Sequence, residues 1–172
     1  IGPGDIVFCV AASGKTPYTL GALKQANSMG ALTIGIANNA DTPILEEAHH
    51  SILADTGSEL IAGSTRMKAG TTQKAILNML STAIMTKLGR VYKGLMIDMV
   101  VSNKKLENRA INMIVDITNC SYETAKSALE QADLHIKTAV LISCGQSLLD
   151  SKKMLEQCNQ DLRIALNLIN SN

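Results

Sequence analysis

The sequence predicts an α/β protein with a parallel, doubly wound β-sheet, followed by a small helical bundle. Three short apolar runs, at residues 6–11, 32–37 and 51–54, have the length and continuity of buried parallel strands. Helical patterns separate these runs, and strands that alternate with helices at this spacing form parallel sheets. From Cys120 onward only helical patterns remain.

Capping residues set the expected limits of the first elements. Thr16 is placed to be the N-cap of a helix with Pro17 at its first position, and Gly30 is placed to end it. Asn38 and Asn39 end the second strand, and a short helix fits residues 43–48. The following polar, glycine-rich segment becomes a long helix that Gly89 ends. Its apolar stripe is Ile76, Met79, Leu80, Ala83, Ile84 and Leu88.

The remaining chain is predicted to be helical. Helical patterns continue through residues 95–101 and 106–117, and two short helices follow Cys120, the first capped by Ser121. A third is marked by Leu155, Cys158, Leu162, Ala165 and Ile169. We therefore expect an α/β domain over residues 1–104 and a helical region over residues 105–172.

Composition limits the classes of partner. The chain has 172 residues with a net charge of +1, and only 2% are aromatic. A nearly neutral chain does not capture nucleic acid or anionic membrane by bulk electrostatics, and few aromatics leave little for base stacking. No apolar run reaches the roughly 18 residues of a membrane span, and no signal peptide is evident. Its four cysteines have no close pairing, as in a reduced cytoplasmic protein. A small polar ligand is expected.

The stretch AASGKTPY, residues 11–18, ends the first strand and looks like the tail of a nucleotide P-loop. The P-loop pattern requires a glycine where this chain has Cys9, and Pro17 starts the helix too soon to wrap a triphosphate. A smaller phosphate site fits better, because a helix N-terminus favours an anion. Ser13 and Thr16 would supply hydroxyls, and Gly14 a close backbone approach. The alternative is an ordinary turn in which Thr16 only caps the helix.

A second candidate loop covers residues 63–71 and joins two hydroxyls, two cations and two glycines at a helix start. Ser64, Thr65, Arg66 and Lys68 are its candidate anion- or sugar-binding residues, although a polar helix start with exposed cations has the same pattern. Glu59 precedes the loop and is a candidate acid/base group, or else a solvated charge. Met67 is expected in the core. His49 and His50 lack partners at ligand spacing, so no metal site is predicted.

These two loops, in this order, resemble the sugar isomerase (SIS) fold of phosphosugar-binding proteins. Residues 11–39, AASGKTPYTLGALKQANSMGALTIGIANN, are similar to its serine/threonine phosphate loop and next strand. Residues 56–110 resemble the N-acetylmuramic acid 6-phosphate etherase family more specifically, notably at NMLSTAIM and VVSNKKL. The resemblance covers essentially the whole chain, and the helical tail is similar to a small ubiquitin-associated-type bundle.

The resemblance implies a carbon–oxygen lyase of cell-wall recycling. That family cleaves the D-lactyl ether of N-acetylmuramic acid 6-phosphate by elimination and hydration, giving N-acetylglucosamine 6-phosphate and D-lactate without a metal or organic cofactor. Ser13, Gly14 and Thr16 would hold the 6-phosphate, and Ser64, Thr65, Arg66 and Lys68 would line the site. Arg66 could instead pair with a carboxylate. A cytoplasmic homodimer acting on a sugar phosphate is implied.

The resemblance also implies that the chain is the C-terminal part of an etherase. It begins without Met, close to a strand, so we expect the first SIS strand and the family's catalytic glutamates to lie upstream, with Glu59 a weaker candidate. Two other functions stay open. One is a non-catalytic sugar-phosphate sensor of the glucokinase-regulator type, and the other is an aldose–ketose isomerase with Glu59 as base.

Overall fold

The structure is a computed structural model that describes residues 1–170. Internal contacts divide the chain into two compact parts, residues 1–80 and the residues from 81 on. The predicted domain limit at residue 104 stays a prediction. The first part contains β1 (Ile6–Val10), α1 (Pro17–Ser28), β2 (Leu32–Ala37), α2 (Pro43–Glu47), β3 (His50–Leu53) and most of α3 (Lys68–Lys87). No helix within residues 1–170 is long and apolar enough to cross a membrane.

The predicted parallel sheet is confirmed, with strand order β1-β2-β3. Ile6 pairs with Leu32 and Ile34 pairs with His50, each in parallel register. Helices α1 and α2 contact the sheet and each other, so they cover the same face, as successive right-handed crossovers require. On the other face Ile6 and Phe8 are 57% and 36% exposed.

Gly35 lets α2 approach the sheet. A Cβ at this position would overlap the carbonyl oxygen of Ile44 and lie 3.0 Å from the Cβ of Ala48. The space is filled instead by Ile44, which is fully buried with Cys9 and Leu23 in the core of this part. A side chain on β2 here would push the helix off the sheet.

A polar cluster around the buried Thr33 fixes the ends of the sheet opposite the candidate loops. The Thr33 hydroxyl is fully buried and donates to Asn27 Oδ1 at 2.7 Å, while it accepts from the His49 backbone N–H at 3.1 Å. The Thr33 backbone N–H donates to His49 Nδ1 at 3.1 Å. This joins the end of α1 to the starts of β2 and β3. His49 is therefore a structural residue.

The second part is mainly helical, and its start differs from the prediction. Residues 95–101 were expected to be helical, but β4 (Val91–Tyr92) and β5 (Leu95–Met96) form an antiparallel hairpin. Lys93 and Gly94 have φ of +47° and +80°, the backbone that a two-residue hairpin turn requires. That turn overrides the apolar pattern.

Five helices follow, in the described residues up to 170: α4 (Lys104–Thr118), α5 (Tyr122–Gln131), α6 (Ile136–Ser143), α7 (Leu148–Gln157) and α8 (Leu162–Asn170). The Ser121 cap of α5 is confirmed, since its hydroxyl accepts from the Thr124 N–H. The predicted third helix is two helices, because Asn159 and Gln160 take φ of +50° and +63° and break it. The helical bundle has its own apolar core, centred on Ile111, Ile114 and Leu141.

Helix α3 forms as its sequence predicts, but its apolar stripe is only partly covered by the residues that the structure describes: Ile76 and Leu80 are half-buried. Ala69 is its one buried residue, while Met79 and Leu88, next to its C-terminus, are 63% and 55% exposed. Met67, expected in the core, is 67% exposed. Helical periodicity identifies the apolar side of a helix but does not supply its partner.

Candidate active site

The first candidate loop joins β1 to α1 and is shaped by Gly14. Gly14 has φ of +64°, and a Cβ there would lie 2.5 Å from the Cβ of Thr42. Its N–H donates to the Ala11 carbonyl, and its carbonyl accepts from the Ile44 N–H. The loop is therefore held against the start of α2, and only glycine fits at its centre.

The donors at the N-terminus of α1 are left available. Thr16 is the N-cap residue, as predicted, but its side chain makes no capping hydrogen bond; its hydroxyl lies 3.5 Å from that of Ser13. Within residues 1–170, the backbone N–H groups of Tyr18 and Thr19 donate to no protein acceptor. Unpaired amides and hydroxyls at the positive end of a helix are an arrangement that favours an anion. Thr16 therefore occupies the N-cap position without a side-chain capping bond, and the choice between an anion loop and an ordinary turn stays a prediction.

In the second candidate loop, Glu59 is bound to the start of α3. Its carboxylate accepts from the Lys68 N–H at 2.9 and 3.1 Å and from the Ala69 N–H at 3.1 Å. The Lys68 ammonium donates in turn to the Ser58 carbonyl at 2.8 Å. These bonds close the loop over residues 58–68 and satisfy two amides at a helix N-terminus. Arg66 makes no ion pair among the described residues.

The two loops meet at a cavity of about 450 Å³ beyond the carboxyl ends of the strands. This is where parallel α/β sheets bind ligands. Of the predicted site residues, Ser13, Glu59, Ser64 and Thr65 line it. The side chains of Arg66 and Lys68 do not, and Lys68 borders a shallower depression with Met67 instead. Gly14 and Thr16 lie beside the cavity rather than in its wall.

Two asparagines that the sequence did not single out also belong to the candidate site. Asn38 and Asn39 follow β2 and line the same cavity. Asn38 is 7% exposed; its amide nitrogen donates to the Ala54 carbonyl and its oxygen accepts from Gln73, both at 2.8 Å. Asn39 donates to the Ala12 carbonyl at 2.9 Å. Their position at a strand's carboxyl end was the signal that could have identified them.

Cys9 is the titratable residue of β1, and its thiol is not available for chemistry. Burial raises the pKa of its thiol, because a buried environment disfavours the thiolate. Its side chain packs with Leu23 and Ile44 on the helix-covered face. Its role is in the core, as the sequence predicts.

Comparison with known proteins gives the identity of the α/β part. Residues 1–83 match the SIS domain family. This segment is a SIS domain. The parallel sheet and its crossover helices agree with that assignment. One solved structure, of a phosphosugar isomerase candidate from Bacillus subtilis, gives a TM-score of 0.34 at 23% identity over 78% of this chain and 36% of that chain, a likeness too distant to add to it.

Relatives match nearly the whole chain, both the SIS domain and the residues that follow it. The N-acetylmuramic acid 6-phosphate etherase of Bacillus subtilis is 50% identical over 156 residues, which are 90% of this chain and 51% of that protein. An etherase of Bacillus licheniformis is 47% identical over 95% of this chain and 54% of its own length. That of Deinococcus radiodurans is 45% identical, over 91% and 52%. The chain spans about half the length of these curated relatives.

Proposed function

We propose that this chain belongs to an enzyme that cleaves the D-lactyl ether of N-acetylmuramic acid 6-phosphate. The products would be N-acetylglucosamine 6-phosphate and D-lactate, formed by elimination of lactate and addition of water. Identity of 45–50% to etherases over most of the chain supports this. The observation that carries it is the N-terminus of α1, which has no side-chain cap and presents two hydroxyls and unpaired amides beside a sugar-sized cavity.

The proposed phosphate subsite is the Ser13–Thr16 turn. Each hydrogen bond to a charged group contributes about 1.5–3 kcal/mol, and the turn offers the hydroxyls of Ser13 and Thr16 together with the amides of Tyr18 and Thr19. Gly14 has no side chain to block their approach. A dianionic phosphate would sit at the positive end of α1, where the helix dipole adds to the attraction.

The sugar is proposed to extend from this subsite along Ser64 and Thr65. Both lie in the cavity wall with Asn38 and Asn39, which supply further polar groups. Arg66 and Lys68 remain proposed ligands that would need to turn toward the cavity. Glu59 remains a proposed acid/base group, although its three main-chain hydrogen bonds favour a part in fixing the loop.

The phosphate subsite is tested by Ser13→Ala together with Thr16→Ala in the full-length protein. Losing two bonds to the phosphate should lower kcat/KM for D-lactate release by at least about a hundredfold. N-acetylglucosamine 6-phosphate binding, measured by calorimetry, should weaken to a similar extent. The sugar without phosphate should bind poorly to both proteins.

Ser28→Ala is the matched control at the other end of the same helix. Its hydroxyl donates only to the Gln25 carbonyl on the surface, so activity should be unchanged. Wild-type turnover by the double variant would overturn the phosphate subsite, and absence of D-lactate release by the wild-type protein would overturn the etherase proposal.

We also propose that the protein is a cytoplasmic homodimer. The resemblance to the etherases implies it, and the exposed apolar residues of α3 offer surface for such contacts. Sedimentation of the full-length protein should give twice the monomer mass, and a monomer at micromolar concentration would contradict it. The etherase relatives lend no support to the regulator alternative.

A further inference from the structure

A second ligand-sized cavity lies within the helical part of the chain. Its volume is about 470 Å³, in the range of small-molecule sites. The end of α3, the β4–β5 hairpin and the first turn of α8 form its wall. Its lining shares no residue with the SIS-domain cavity, so it is a separate cavity.

The base of this cavity is apolar. Ile97 and Leu162 line it, and each is only 1% exposed because both belong to the core of the helical part. Val91 and Ala83 add small apolar surface. An apolar group of a ligand placed there would be transferred out of water onto apolar side chains.

Two cations border the same cavity without a carboxylate partner. Arg163 and Lys87 are lining residues, and neither makes an ion pair within residues 1–170. The Arg163 guanidinium stacks on the Tyr92 ring, 5.4 Å from its centroid. Stacking restricts the side chain, so less entropy is lost when the planar fork binds an anion. One side of the cavity is therefore suited to bind a negatively charged group.

Asp161 is the one carboxylate in the lining, and its position does not neutralise these cations. Its Oδ1 accepts from the backbone N–H groups of Arg163 at 2.8 Å and Ile164 at 3.2 Å, which caps α8. The cap occupies the helix N-terminus, so the anion would be bound by side chains. Two positive side chains against one bound carboxylate leave the wall with a net positive charge.

We infer that this cavity binds a small organic anion, a carboxylate or phosphate monoester with a compact apolar body. The anionic group would pair with Arg163 and Lys87, and the apolar body would lie on Ile97 and Leu162. The inference does not rest on the proposed etherase activity, because none of these residues belongs to the SIS-domain site.

The test is a titration of the full-length protein with phenyl phosphate, phenylacetate and neutral 2-phenylethanol, followed by amide chemical shifts. Saturable shifts at Gly89, Tyr92 and Leu162 are expected with at least one anion, and weaker or no binding with the alcohol. The two anions distinguish a phosphate ester from a carboxylate. Lys87→Ala and Arg163→Ala should each weaken binding about tenfold, as loss of a charge-assisted bond does.

Lys93→Ala is the matched control. Its ammonium lies 5.6 Å from the centroid of the same Tyr92 ring but does not line the cavity, so binding should persist. Arg163→Lys keeps the positive charge but removes the planar guanidinium, and it replaces Arg163→Ala in the test if that variant folds poorly. The inference is overturned if neither anion gives saturable shifts, or if Lys93→Ala weakens binding as much as Lys87→Ala. Ser13→Ala with Thr16→Ala should leave this binding intact, which separates it from the phosphate subsite.

Discussion

Replacing Gly14 by alanine should destabilise the sheet part of the protein more than any other glycine replacement in the first loop or α1. A left-handed φ of +64° costs an L-residue about 1–2 kcal/mol. The added Cβ would also lie 2.5 and 2.9 Å from the Cβ and Cγ2 of Thr42, which is only 1% exposed and has little room to move. Overpacking of this kind costs about 1–3 kcal/mol. The expected loss is therefore about 2–5 kcal/mol.

Two other glycines separate these contributions. Gly57 has φ of +61° but nothing within 4 Å of an added Cβ, so Gly57→Ala should cost only the conformational 1–2 kcal/mol or so. Gly21 lies exposed inside α1 with open space around it, and Gly21→Ala should stabilise by about 0.5–1 kcal/mol. Native-state hydrogen exchange of β1 and β2 amides measures all three in the same part of the molecule. Equal losses for Gly14→Ala and Gly57→Ala would refute the steric argument.

Three further predictions concern single side chains. Thr33→Val should lower the unfolding free energy by about 2 kcal/mol in urea denaturation, since it removes two hydrogen bonds of a buried hydroxyl, to Asn27 and from the His49 N–H. Thr33→Ser should retain most of the stability, and equal losses for the two variants would contradict this. Glu59→Ala should cost about 1 kcal/mol by loss of the α3 cap, and Glu59→Gln less; no change in either would contradict the capping role. Burial raises the pKa of the thiols of Cys9 and Cys144 above the ordinary 9.0. Alkylation of these thiols should therefore be slower in the folded than in the unfolded chain, and its rate should still increase above about pH 9. Equal alkylation rates in the folded and unfolded chains would contradict this.

The strands, the first loop and most helix ends followed from local chemistry. A proline at position 17 and glycines at 14 and 30 act within a few residues, so their effects are visible without any partner. The β4–β5 hairpin was missed because Lys93 carries no turn signal of its own and adopts φ of +47° only with Gly94. The break at Asn159 was missed because the apolar spacing of Leu155, Cys158 and Leu162 runs through it.

The candidate site was predicted as two separate loops. Their residues could be chosen by type, since hydroxyls, glycines and helix starts favour anions wherever they occur. Which side chains face one cavity could not be chosen, because that depends on contacts between residues of different elements, from 9 to 35 positions apart in the sequence. Gln73 reaching Asn38 and Glu59 turning back onto Lys68 and Ala69 are such contacts.

Residue order alone was enough to specify a parallel α/β sheet, a glycine-shaped loop before α1 and the helical character of the second half. These features depend on short-range periodicity and backbone preferences that each segment carries with it. Folding added the shared cavity, the capping role of Glu59, the buried Asn38 and the stacking of Arg163 on Tyr92. Those contacts join side chains from different elements, which only the folded chain brings together. A local sequence pattern does not contain the positions of such partners.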